Sequence, residues 1–282
     1  MTEGPRVEMV PLPGGWIERL RLPGGPGAPL VVVGGVENSL RRMTGTEPVH
    51  RRRWELRTQA RPVTVIGRPI PDHPADATVM LHPRASAEAV ATALEDLAGP
   101  FAFEAESGGG RISLWLTVER PALVSRLVLA ASASETPPDS PMAPRVQEWI
   151  DLAEQAEWGE LLALQAAQLR PGGPGTEARP ATALVAGASL HPHPTTPERF
   201  IGELRGTLDP TSFITDRLGE IGVPTLVLAG GRDQVVPPAS SRLLAERIPG
   251  ARIEVDPESG HTVRVSFRGY DALVEAFLAE GD

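Results

Sequence analysis

Phe101-Ala102-Phe103-Glu104-Ala105-Glu106-Ser107-Gly108-Gly109-Gly110 is the stretch whose reading decides the fold. An apolar run ends in a serine flanked by small residues, and helix-period spacing begins directly afterwards. That order describes a strand entering a tight turn and leaving as a helix, with Ser107 at the apex. The frame around the serine is Ala105, Glu106, Ser107, Gly108, Gly109. Small residues are needed where a strained backbone turns and a helix packs close behind a strand. Taken alone the stretch also fits a flexible Ser-Gly loop, so the flanking chain must supply the context.

Upstream, Val90, Leu94 and Leu97 recur at helical spacing between Ala85 and Ala98, and Gly99-Pro100 stops that helix. Leu30-Val31-Val32-Val33 is a continuous apolar run of the kind buried on both faces of a sheet, and it ends at Gly34-Gly35. Val63 to Ile66 reads as another buried strand, followed by a Pro-rich loop from Arg68 to Pro74. Arg6 to Pro11 and Trp16 to Leu22, about Pro13-Gly14-Gly15, read as an antiparallel hairpin. The polar, Arg-rich residues from Glu37 to Thr58 suggest a helix in their second half. Downstream, Ile112, Trp115 and Leu116 mark a helix ending before Pro121, and Leu127 to Ala130 is the next strand.

Strand and helix in alternation predict a mostly parallel sheet with helices on both faces. The rhythm breaks between Ser134 and Leu208, where only helical patterns occur: Val146, Trp149, Ile150 and Ala153; Trp158, Leu161 and Leu162; Phe200, Ile201, Leu204 and Leu208. Pro171 to Gly175 is a break among them. At Pro224 the alternation resumes with strand Thr225 to Ala229, helix Ala239 to Ile248, strand Arg252 to Val255 and a last helix carrying Tyr270, Val274 and Phe277. The expected fold class is α/β, with a core from residues 1–135 and 209–282 and a helical insertion over 136–208.

Composition narrows the function classes. The 282 residues carry a net charge of -9, which disfavours a nucleic-acid backbone as partner. The basic run Arg51, Arg52, Arg53 is short and reads as a solvated helix face. The chain has no lysine, so every fixed positive charge is an arginine, and no cysteine, which excludes disulfides and thiolate chemistry. No signal peptide and no membrane-length apolar window is visible, so a cytoplasmic location and no membrane partner are expected. His191 and His193 form a lone His-x-His pair beside prolines, read as no metal site. No Gly-x-Gly-x-x-Gly follows the early strands, and no cofactor is expected. The assembly allowed for is a homodimer.

Two further motifs give Ser107 its context. Strand Thr225 to Ala229 runs into Gly230-Gly231-Arg232-Asp233-Gln234-Val235-Val236-Pro237, placing an aspartate past the carboxyl end of a parallel strand, where open sheets build their sites. Ser259-Gly260-His261-Thr262 places a histidine after the next strand. The chain order is Ser107, Asp233, His261.

With these motifs the chain resembles the α/β-hydrolase superfamily, from the first hairpin to the last helix, the insertion being similar only to a generic helical cap. The resemblance implies Ser107 as nucleophile, His261 as general base and Asp233 as the acid that orients it. It also implies oxyanion-hole N–H groups from Gly108 and Val36, with Gly35 beside them. Many relatives have His-Gly where Gly34-Gly35 stands, and Glu37 or Asn38 is the candidate replacement for that histidine. Glu106 is read either as a charge that raises the pKa of His261 or discourages anionic substrates or, preferably, as a surface or hydrogen-bonded structural residue. Trp149, Phe200, Trp158 and Met142 either line an acyl pocket or form the insertion's own core. Relatives with an aspartate nucleophile are disfavoured by Ser107, and epoxide opening by the lack of any tyrosine besides Tyr270.

The implied function is a serine hydrolase acting on a carboxylic ester, thioester or lactone of small to medium size. Acyl transfer or carbon–carbon bond hydrolysis on the same three residues, and a non-hydrolytic protein of this fold, remain as alternatives.

Overall fold

The computed structural model describes residues 6–36, 54–169 and 196–280. Its strands are β1 (Arg6–Leu12), β2 (Gly15–Leu22), β3 (Leu30–Val33), β4 (Val63–Pro71), β5 (Phe101–Glu106), β6 (Val124–Ala130), β7 (Thr225–Gly230) and β8 (Arg252–Asp256). They form one sheet in the order β1-β2-β4-β3-β5-β6-β7-β8. β2 pairs antiparallel with β1 and β4, and every other pair is parallel. The opening hairpin and the mostly parallel sheet are both as the sequence pattern predicts.

Helices α1 (Ala77–Met80) and α2 (Pro83–Leu94) precede β5, and α3 (Gly108–Glu119) follows it. Between β6 and β7 lie α4 (Met142–Glu154), α5 (Trp158–Leu169) and α6 (Pro197–Leu208). α7 (Pro238–Arg247) joins β7 to β8, and α8 (Val263–Ser266) and α9 (Tyr270–Ala279) close the described chain. The Pro171–Gly175 break, the basic run at Arg51 and the pair His191 and His193 lie outside the described residues. None of the described helices is long and apolar enough to cross a membrane.

One expectation is corrected in β4, which runs to Pro71 instead of stopping at Ile66. β3 pairs with β4 only as far as Ile66, whereas β2 continues beside it to Pro71. Past Ile66, β4 therefore has one open edge. Pro69 and Pro71, two residues apart, can turn their missing N–H groups toward it without losing a ladder bond. The residue carried on this extension is Arg68.

Alternation along β5 sorts its side chains onto two faces. Phe101, Phe103 and Ala105 join Val31, Val33 and the buried sides of α2 and α3 in one apolar cluster. Ala102 joins Leu30, Val32, Trp54 and residues of α9 in the other. Glu104 points to this second face as well and is 4% exposed. α3 starts with three glycines, each a helix-weakening residue by about 1 kcal/mol relative to alanine. Packing holds it instead, because Ile112, Leu114, Trp115 and Leu116 are all buried against the sheet. Pro121 then ends it.

The helices between β6 and β7 share a third apolar cluster: Met142, Val146, Trp149 and Ile150 of α4, Leu161 of α5, and Phe200 and Leu204 of α6. Val235 and Val236, just after β7, belong to the same cluster, so these helices lean on the carboxyl ends of the strands. Ile214, Leu218 and Ile221 return to the main core.

Candidate active site

Ser107 sits at the apex between β5 and α3 with φ 53 and ψ -124. A non-glycine residue in such a conformation costs about 1–3 kcal/mol and persists only when its surroundings over-determine it. Here its N–H donates to Ala130 O at 2.9 Å, and its carbonyl accepts from Gly110 N–H at 2.9 Å. Gly109 explains the small-residue frame. A Cβ there would overlap the Gly34 and Val33 carbonyl oxygens, so the turn and the end of β3 touch backbone to backbone.

Ser107 Oγ–H donates to His261 Nε2 at 3.0 Å, and His261 Nδ1–H donates to Asp233 Oδ2 at 2.9 Å. The other Asp233 oxygen accepts from the N–H groups of Val235 and Val236, both at 2.8 Å. That carboxylate is thus aimed by its own turn, and the imidazole is aimed by the carboxylate. The loops after β7 and β8 are tied together as well, Arg232 N–H donating to Ser259 O at 2.9 Å. Gly230 allows this approach, since a Cβ there would strike Gly260 O and Ser259 O. Burial alone would lower the pKa of His261; the Asp233 carboxylate, by charge and hydrogen bond, and the charge of Glu106 outweigh it and leave it raised. Such a chain can accept the serine proton and stabilise the imidazolium that results.

The loop after β3 lies against this turn. A Cβ on Gly35 would be 3.4 Å from that of Ser107, and one on Gly108 would be 3.5 Å from Val36 Cγ2. Arg68 Nη2 donates to Gly34 O at 2.8 Å and to Gly35 O at 3.0 Å, while its Nε donates to Glu203 Oε1 at 2.6 Å. Arg68 is 2% exposed and comes from the β4 extension that the prolines disguised. It occupies the loop-steadying place that sequence reading left to Glu37 or Asn38, both outside the described residues. Its only sequence signal is a lone charge in an apolar strand.

Glu106 pairs with Arg264 of α8 at 3.3 Å, and Arg264 also meets Glu104 at 3.3 Å. Glu106 is thus held in an ion pair, and its charge also acts on His261. Glu104 accepts from Tyr270 O–H at 2.9 Å and from Arg57 Nε at 3.2 Å. Sequence reading missed this network, which braces the strand before Ser107 against the helix after His261.

A cavity of about 50 Å³ opens at Ser107 and is lined by Gly108, Val36, Arg111, Met142 and Trp149, among others. Trp149 and Met142 line this cavity and also join the apolar cluster of the inserted helices, whereas Phe200 does not line it. Phe200 lies in the apolar cluster of the inserted helices, edge-on to Trp158 at 6.4 Å between ring centroids, because α6 turns Leu204 and Thr207 to the cavity instead. Among the described residues, no three histidine, aspartate or glutamate side chains gather as a metal site would require.

The strand order has counterparts in solved structures. A hydrolase from Pseudomonas aeruginosa PA01 is 22% identical, with a TM-score of 0.75 over 96% of this chain and 98% of that one. An esterase from Exiguobacterium antarcticum is 19% identical, with a TM-score of 0.73 over 94% and 96%. An enol-lactonase from Burkholderia xenovorans LB400 is 17% identical, with a TM-score of 0.76 over 96% and 100%. These identities speak for the fold alone. The family model described as serine aminopeptidase, S33 (Hydrolase_4) matches residues 85–264, from the helix before β5 to the helix after His261. The chain belongs to that family, within the α/β-hydrolase superfamily.

Proposed function

We propose that the protein is a serine hydrolase that cleaves a carboxylic ester, thioester or lactone of a small to medium substrate through an acyl-enzyme at Ser107. The observation that carries this reading is the unbroken hydrogen-bond chain from Ser107 through His261 to Asp233. His261 Nε2 takes the serine proton as Oγ attacks the carbonyl carbon, and Asp233 stabilises the imidazolium. The N–H groups of Gly108 and Val36 face the developing oxyanion, each such donor contributing roughly 2.7–4 kcal/mol in the transition state. His261 then returns the proton to the departing alcohol or thiol. Water, deprotonated by the same nitrogen, attacks the acyl-enzyme and releases the acid. Residues 136–208 act as the cap, their helices α4 and α6 supplying Met142, Trp149 and Leu204 above Ser107.

The family description names a peptidase, and the esterase and enol-lactonase share the architecture. An aminopeptidase must hold a substrate ammonium, which needs a free carboxylate at the site. The residues lining the described cavity include none, and Glu203, near Gly108, is taken by Arg68. Ester or lactone cleavage fits better.

Ser107→Ala is expected to lower hydrolysis of short p-nitrophenyl esters by roughly 10⁴-fold or more while the circular dichroism spectrum is unchanged. Fluorophosphonate should add its mass to the Ser107 peptide of the wild type. Full esterase activity in the variant would refute the assignment.

A further inference from the structure

Arg111 lies one helical turn beyond Ser107 on α3, is 3% exposed, and lines the same cavity. Its guanidinium is held by four hydrogen bonds: Nε to Ala133 O at 3.3 Å, Nη1 to Thr207 O at 2.7 Å and Ser212 Oγ at 3.2 Å, and Nη2 to Thr136 Oγ1 at 2.7 Å. Every one of these partners is uncharged. The fork has five N–H groups, so one on Nη2 has no partner among the described residues. The face of Phe213 lies 5.7 Å away.

Five other buried arginines are treated differently, each meeting a carboxylate. Arg19 is paired with Glu8 and Asp96, Arg57 with Glu104, Arg61 with Glu275, Arg68 with Glu203 and Arg264 with Glu104. Among the described residues, Arg111 has only the remoter charge of Glu135, whose Oε2 already accepts from Thr215. Burial lowers the pKa of Arg111 to about 10, which leaves it a cation at neutral pH. A buried charge without a counter-ion is costly, and an anion entering the cavity removes that cost. The apolar walls of Val36, Met142, Val146 and Trp149 strengthen the attraction by excluding water.

We propose that Arg111 makes the cavity beside Ser107 an anion-selecting acyl site, and that the preferred substrate has a short acyl arm ending in a carboxylate. The proposal rests on the reading of Ser107 as the acyl-accepting nucleophile. Size agrees with it. At about 10–15 Å³ per water position, a 50 Å³ cavity holds roughly four small groups, enough for a two-carbon arm and its carboxylate. Charge agrees too. Glu106, the acidic neighbour of Ser107, is engaged by Arg264 and is not left to repel an anion.

The test compares ethyl hydrogen succinate with ethyl butyrate, which differ in the terminal carboxylate at nearly equal length, by acid release at constant pH. The wild type is expected to favour the half-ester in kcat/KM by about tenfold or more. In Arg111→Met, that ratio should fall to about one or below, and Arg111→Lys should keep part of it. A wild-type ratio at or below one, or an unchanged ratio in an Arg111→Met variant whose Ser107 still reacts with fluorophosphonate in a separate sample, would overturn the proposal. Should that variant fail to fold, calorimetry on the wild type decides. Propionate is expected to bind at least about tenfold more tightly than propionamide, and equal binding would overturn the site. If Ser107 takes no label and neither ester is cleaved, the hydrolase reading fails alone, and propionate binding still tests the anion site.

Discussion

Two buried arginine sites flank the strand that ends at Ser107, and the molecule treats them in opposite ways. On the α9 face, Arg57 and Arg264 converge on Glu104, with Asp271 and Glu275 also meeting Arg57 and Tyr270 donating to Glu104. On the cavity face, Arg111 donates only to carbonyl and hydroxyl oxygens. Neutral oxygens can orient a guanidinium without cancelling its charge. The first site is closed to any further ion, and the second is open to one. Arg68 stands between them, spending one edge on Glu203 and the other on the carbonyls of Gly34 and Gly35.

The contrast is sharpest in stability. Glu104→Ala removes the buried carboxylate that Arg57 and Arg264 share and leaves the Tyr270 hydroxyl without its acceptor, and should cost about 3–5 kcal/mol in urea unfolding even though Asp271, Glu275 and Glu106 remain. Arg111→Met strands no charge and loses only bonds to neutral oxygens, so about 1–3 kcal/mol is expected. The reverse order would mean that Arg111 is the better compensated of the two, and the contrast would collapse.

Arg68 provides the intermediate case. Arg68→Met releases the Gly34 and Gly35 carbonyls, and with them the loop that carries Val36. A misplacement of about 1 Å can cost 10²-fold in rate, so kcat on a short p-nitrophenyl ester should fall by roughly 10²-fold. KM should stay within about threefold, because no ground-state contact to substrate is removed. A variant that loses KM and keeps kcat would show that Arg68 does not act through the loop.

Much of this was readable in advance where local chemistry repeats a simple rule. Leu30–Val33 and Thr225–Gly230 are apolar runs bounded by turn residues, and Asp233 follows the second of them, while Ser107 and His261 follow the shorter-patterned strands β5 and β8. The charged contacts were not readable, because each joins residues far apart in the chain. Arg68 meets Glu203 across 135 positions, and Tyr270 meets Glu104 across 166. Arg68 was further hidden by Pro69 and Pro71, which argue for a loop unless the open edge of β4 is known. Phe200 stays open between pocket and core in the sequence for a related reason. Helical spacing puts it on an apolar face but does not say whether that face meets the cavity or the other inserted helices.

The smallest effect concerns Glu106, which belongs to the compensated network and still acts on the site. Its charge and that of Asp233 favour the protonated imidazole and offset the burial that opposes it, so the pKa of His261 is raised. Catalysis needs the neutral imidazole, so kcat/KM should fall as pH drops through that raised value. Folding linkage has the opposite sign. A raised folded-state pKa stabilises the fold below the unfolded histidine value of about 6.5, and this gain disappears as pH rises through the folded value. Glu106→Gln removes one of the two negative charges while Asp233 remains, so both profiles should move to lower pH, by less than about one unit. The partner Arg264 works in the same direction, because in the variant its charge is no longer offset by Glu106. An acid limb that stays in place while Ser107 is still labelled would confine Glu106 to its ion pair. A shift toward higher pH would instead mean that its loss relaxes the burial of His261 more than it weakens the field.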